Sequence, residues 1–115
     1  MFVKNQLIKP VQAGEGVIRK LLAAEGSLMM TEVCFQKGAV GVIHSHPHEQ
    51  VSYIVAGSFE FNLNGTKQVM HIGDSVYIPT KIPHGVVALE ENSIILDIFT
   101  PQREDFLLNE DRRTL

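Results

Sequence analysis

Cysteine is nearly absent from this chain: Cys34 is the only one in 115 residues. A lone thiol cannot close an internal disulfide, so no oxidising compartment is needed. Between Val33 and Phe35 it reads as a small strand residue rather than a reactive thiol. A basic surplus is also missing. Ten Lys and Arg against thirteen Asp and Glu leave a formal net charge of −3. That balance gives no electropositive field for nucleic acid. No apolar run is long enough to span a bilayer. The opening MFVKNQLIKPVQAGEGV lacks the apolar h-region and cleavage pattern of a leader. The expectation is a cytoplasmic protein with neither membrane nor nucleic-acid partners. No internal repeat is visible, and helical periodicity is almost missing.

What remains is a strand-forming chain. Its 44% hydrophobic content supports a real core, and its length suits one domain. Residues 1–15 read as an irregular arm punctuated by Pro10 and Gly14, with Gly16 just beyond. Residues 16–108 read as the body and its cap, and 109–115 as a tail. Short runs at 17–24 and 27–36 suit strands, as do 50–56, rich in Val, Ile and Tyr. In 58–63, Phe59, Phe61 and Leu63 share one face. Asn64-Gly65 then joins that run to 66–72, a strong hairpin signal. Further strands follow at 75–78, 84–89 and 93–100. About nine short strands with tight turns define an all-β sandwich or barrel. Phe106, Leu107 and Leu108 among charges suggest one helical turn capping it, with fraying from Asn109.

The stretch GAVGVIHSHPHEQVSYIVAG, from Gly38 to Gly57, organises the rest. His44 and His46 are two apart in a β-like run, so both rings leave one face, about 6.6 Å apart. Two such rings can lean onto one ion at roughly 2.1 Å each. His84 follows a Pro-rich loop. The expected site is a metal held by His44, His46, Gln50 and His84. A lone His is more often structural; two at alternate positions plus a third after a constrained loop are harder to dismiss. His48 shares their parity, but Pro47 interrupts the run, so a rim or turn position is expected. His71 precedes a turn and reads as solvated. Alternation sends Glu49 to the face opposite Gln50. Tyr53 and Lys81 read as packing and loop surface.

Written out, the two stretches are G-x5-H-x-H-x3-Q-x6-G, from Gly38 to Gly57, and G-x5-P-x3-P-H, from Gly73 to His84. Together they resemble the two motifs of the cupin superfamily, which implies a double-sheet jelly-roll barrel. Cupins usually carry Glu where this chain has Gln50, and Gly and Asn where it has Lys81 and Ala88. A narrower likeness runs through HSHPHEQVSYIVAGSFEF, GDSVYIPTKIPHGVVALE and LDIFTPQREDFL. These resemble the KdgF family of small pectin-degradation cupins, in which a Gln completes the three histidines. The resemblance implies action on 4,5-unsaturated uronate monosaccharides, converted to the linear keto form. It implies Asp97 and Arg103 as catalytic positions, with Phe99 lining the pocket. The cofactor implied is one divalent transition ion, and the donor set admits Ni, Zn, Fe, Mn or Co.

The residues bear on those roles. A neutral Gln50 amide offsets less of an ion's charge than a carboxylate would, which suits Lewis-acid work on a small anionic sugar; the bland reading is a core hydrogen bond. Asp97 sits in the apolar run Ile94–Phe99, where an unpaired charge is costly. It shares a face with Ile95 and Phe99. A buried carboxylate in a cleft is a general-base candidate; a structural ion pair, with Arg103 as one available partner, stands level with it on the residues alone. Arg103 suits bidentate grip of a carboxylate, against the commoner fate of an exposed tail charge. Two other readings of function remain: a metal-dependent cupin dioxygenase, and a non-catalytic sugar-binding or sensor module. Ile94, Leu96 and Ile98 give the last strand a second apolar face, which predicts a homodimer.

Overall fold

Alternating apolar and polar side chains along short runs give strands with one wet and one dry face. The computed structural model, which describes residues 1–109, contains ten strands. They are β1 (Val11–Gly14), β2 (Val17–Glu25), β3 (Leu28–Phe35), β4 (Val40–His44) and β5 (Glu49–Ala56), followed by β6 (Ser58–Leu63), β7 (Thr66–His71), β8 (Ser75–Ile78), β9 (His84–Ala88) and β10 (Ser93–Thr100). A 3-10 turn at Asn5–Leu7 precedes them, and helix α1 (Glu104–Asn109) follows. No helix among the described residues is long and apolar enough to cross a membrane.

Six strands form one antiparallel sheet in the order β1-β2-β3-β10-β5-β8. Four form the other, β4-β9-β6-β7. The core between them includes Phe35, Ile54, Phe59, Phe61, Ile78 and Ile95. Phe35 and Phe59 meet edge to face at 5.1 Å. Full burial of each such side chain stabilises by roughly 1.5–3 kcal/mol. The β6–β7 hairpin turns at Asn64-Gly65, both with positive φ (52° and 89°), the conformation its type of tight turn requires.

The all-β class, the double sheet and the C-terminal helical turn stand as expected. Three details differ. Residues 1–15 are not wholly irregular, because β1 pairs with β2 there. The sheets do not close into a barrel among the described residues. Register shifts fall at Gln12/Gly14 on β1 and Gly41/His44 on β4. Bulges on these outer strands interrupt the ladder a seam would need, and the cavity between the sheets stays open beside them. Asn109, expected to begin the tail, is the last residue of α1; the rest of that tail lies outside the described residues.

Register places the chemistry. On the inner face of the larger sheet one row runs Leu21–Thr31–Asp97–Ser52–Val76. The next holds Met29, Phe99, Gln50 and Ile78. A polar trio thus crosses the middle of an apolar face.

Candidate metal centre

The distant His84 arrives by strand pairing: it lies directly opposite His44 in the β4–β9 ladder. That approach is tight. A Cβ at Gly85 would stand 2.8 Å from the Gly41 carbonyl oxygen and 3.0 Å from the Ile43 nitrogen. Only glycine lets β4 lie this close to β9. His46 comes differently. β4 ends at His44, so His46 lies in the loop before β5 rather than on the strand. Pro47 follows it, and the His46 carbonyl accepts from the Lys81 backbone N–H at 2.7 Å. Loop bonding, not strand alternation, therefore aims its ring. Gln50 projects inward from β5, opposite Phe99.

Three imidazoles converge. Ring centroids are 4.5 Å apart for His44–His84, 4.9 Å for His46–His84 and 5.4 Å for His44–His46. One donor nitrogen from each lies within 4.8 Å of the others, so the trio can hold a metal ion. The tautomers fit that use. Each Nδ1 faces a backbone carbonyl two residues away: Val42 for His44 (2.9 Å), His48 for His46 (3.1 Å) and Ile82 for His84 (2.9 Å). A carbonyl only accepts, so each Nδ1 carries the proton and each Nε2 presents a lone pair. His84 Nε2 is buried without a hydrogen-bond partner among the described residues. Gln50 Oε1 stands 2.9 Å from His46 Nε2. Two acceptors that close repel unless a cation lies beside both. Right-angled donors about 2.1 Å from one ion are about 3 Å apart. The residues present fit a divalent transition metal.

Burial favours the neutral form of His46 and His84. Desolvation lowers the pKa of His84 from 6.5 to about 4, aided by its histidine neighbours and Arg103 and opposed by the bond to Ile82. Desolvation also lowers His46. Neutral imidazole is the ligating form.

Asp97 lines the same cavity, of about 760 Å3, with His44, His84, Gln50, Ser52 and Arg103. Burial raises its carboxyl pKa, opposed first by hydrogen bonds from Ser52 and Gln50 and then by the Arg103 charge. Ser52 Oγ donates to its Oδ1 at 2.6 Å. Arg103 is not an exposed tail charge: its side chain is 14% exposed. Its carboxylate partner is Asp105, gripped through Nε (3.3 Å) and Nη2 (2.9 Å). Burial of Asp105 works against ionisation, but the Arg103 bonds and charge outweigh it and lower that pKa. Phe99, 2% exposed, meets His46 edge-on at 5.7 Å and Phe106 at 5.8 Å.

Glu49 points outward, as alternation requires, and bonds Tyr77 on the surface. His48 is half-buried beside His46 and outside the converging trio. His71 is exposed and Lys81 lies in the surface loop. Two cavity residues escaped the reading of the sequence. Ser52 sits between Gln50 and Asp97. Arg19 stacks on Phe106 at 3.7 Å, opposite Arg103 at 3.9 Å. Both share parity with buried neighbours, Gln50 and Ile54 for one, Val17 and Leu21 for the other. A polar residue at an inward position was the available signal.

Comparison with known proteins agrees with this geometry. The family model of the cupin domain matches residues 31–99. The pectin degradation protein KdgF of Dickeya dadantii (strain 3937) is 43% identical over 97 residues, covering 84% of this chain and 88% of that protein. The structure of KdgF from Halomonas sp. superposes with a TM-score of 0.90 at 39% identity, covering 93% and 98% of the two chains. Oxalate decarboxylase OxdC of Bacillus subtilis (strain 168) is 30% identical over 100 residues, 83% of this chain but 26% of that longer protein. Two facing antiparallel sheets, a histidine trio between them and near-complete overlap with KdgF place this chain in the cupin family, among the relatives of KdgF.

Proposed function

We propose that this chain is a metal-dependent, isomerase-like enzyme that opens and ketonises 4,5-unsaturated uronate monosaccharides released from pectin or alginate. The observation that carries this reading is Asp97, a desolvated carboxyl with a raised pKa, lining one cavity with Arg103 and with His44 and His84 of the converged imidazole trio. The Dickeya dadantii relative, described as a pectin degradation protein, supports the same sugar class.

His44, His46, Gln50 and His84 would hold a divalent metal, which would supply Lewis-acid polarisation of a sugar oxygen. The chain's own groups do the rest. Asp105 occupies two donors of Arg103, which leaves Nη1 for the substrate carboxylate and fixes the guanidinium's plane. Phe99 walls the pocket. Ring opening moves a proton from the anomeric hydroxyl to the ring oxygen. Ketonisation moves the resulting enol proton to the neighbouring alkene carbon. A carboxyl whose pKa lies above the usual range can take and return such protons. Ser52 holds Asp97 Oδ1, so Oδ2 is the atom that carries them. Neither step oxidises or reduces the sugar overall.

Protonation of the alkene destroys the conjugated double bond and its ultraviolet absorbance. Metal-loaded protein should accelerate that loss. Absorbance decay no faster than the protein-free control would overturn the proposal, and oxygen uptake would point to an oxygenase. We further read the chain as cytoplasmic and as a homodimer, the second supported by the apolar outer face of its larger sheet.

A further inference from the structure

Gln50 has an ambiguity the histidines lack. Its amide has an acceptor end and a donor end of nearly equal size, and only the oxygen can serve a cation. Nothing on Gln50 itself selects the end that faces the trio. Its neighbour two residues along does. Gln50 Nε2 donates to Ser52 Oγ at 2.9 Å, and Ser52 Oγ donates to Asp97 Oδ1 at 2.6 Å. The hydroxyl has one proton, committed to Asp97, so towards Gln50 it offers only a lone pair. It therefore takes the amide's NH2 and turns the oxygen towards His46 Nε2. Gln50 is 5% exposed and Ser52 is fully buried, so water does not compete for these bonds.

We infer that Ser52 is a positioning residue that sets the orientation of the Gln50 amide, making its oxygen the fourth donor of the metal site and tying that donor to Asp97. Without the hydroxyl only the Asp97 carboxyl holds the NH2, and the amide is freer to reverse. Its NH2 then bonds the His46 Nε2 lone pair and occupies the electron pair a metal needs. Thr31 is the comparison within the protein: it flanks Asp97 on the other side in the same row, is fully buried, and its hydroxyl bonds nothing among the described residues.

The inference rests on the metal site of the proposed function, and the test separates the two. The dissociation constant for Co2+ is measured by competition with a chromophoric chelator, together with the cobalt absorption band, on purified chain. If the wild-type chain binds no Co2+, the metal reading itself falls. Given binding, Ser52→Ala should weaken it by about 10- to 100-fold, the usual cost of losing a partner that orients a ligand, and should shift the band. Thr31→Val should stay within twofold. In a Gln50→Glu background no amide remains to orient, so adding Ser52→Ala should cost less than twofold. Equal losses in both backgrounds, or no loss in either, would overturn the inference. Should Ser52→Ala fold poorly, Ser52→Cys, a weaker partner of similar size, should give an intermediate loss; wild-type affinity in that variant would equally overturn it.

Discussion

Asp97 is held where its charge is costly, and that fixes a sign. Burial raises its pKa above the ordinary 3.8. Below 3.8 both folded and unfolded chains carry the proton. As the pH rises above 3.8, the unfolded chain releases its proton first, so stability falls through the window up to the raised value. At neutral pH the wild type bears a cost that an amide does not. Asp97→Asn should therefore melt higher than wild type at pH 7, with the gap closing below pH 3.8 in thermal melts. Its uronate turnover should drop by about 10²–10⁴-fold, the usual worth of a general acid–base group. His84 runs the other way. Its folded-state pKa lies below 6.5, at about 4. As the pH falls from 6.5 the unfolded chain takes the proton first, and stability is lost down to about pH 4. In metal-free protein, His84→Asn should flatten this loss, and nitrogen NMR of the wild type should find the His84 ring neutral at pH 5. Asp97 was legible because a charge amid Ile, Leu and Phe contradicts its surroundings. Ser52 was not, because a serine on a strand contradicts nothing until its two neighbours are known.

Strand pairing explains which elements the sequence declares. The 58–63 and 66–71 pair is local, and its Asn-Gly turn states both register and handedness. β1 follows Pro10 and carries Gly14, so it reads as loop; its pairing with β2 makes it a strand, and that partner's register is invisible in the local pattern. The convergence of His44 and His46 was legible as spacing but not as cause, since the Lys81–His46 bond across two loops aims the second ring. Gly85 carries the β4–β9 approach. Gly85→Ala should force the Gly41 and Ile43 backbone away, costing about 1–3 kcal/mol as overpacking. Because His44 rides on β4, the same change should weaken Co2+ binding, seen in the chelator competition. Helix α1 has a parallel role at the other side of the cavity. Phe106 is 8% exposed, packs on Phe99, and lies between the Arg19 and Arg103 guanidiniums. Phe106→Ala should cost about 3–5 kcal/mol. It should also loosen Arg103, raising KM for the uronate more than it lowers kcat.

At the scale of the whole molecule, the larger sheet carries apolar side chains on both faces. Its inner face meets β4, β9, β6 and β7. On its outer face Met30, Ile98, Val51 and Tyr77 form one row across β3, β10, β5 and β8, and Leu96 lies beside Tyr53 in the next. The N-terminal segment covers the β2–β3 end, through Asn5 to Glu32 and Lys20 to Asn5. Over β5 and β8 the apolar side chains stay open, with Val51 39%, Tyr53 43% and Tyr77 53% exposed. A contiguous patch of this kind on an otherwise acidic chain marks an interaction face. A two-fold axis through it would match the same patch on a second copy, row against row. Sedimentation equilibrium should return the mass of two chains. Ile98→Lys puts a charge at the centre of the row on both copies, without touching the inner face. It should weaken self-association by about thirtyfold or more, as loss of a central anchor does. It should leave Co2+ affinity unchanged, because every proposed ligand and Ser52 point to the opposite side of the sheet. A wild-type chain that sediments as a monomer would sink the dimer while leaving the metal site intact.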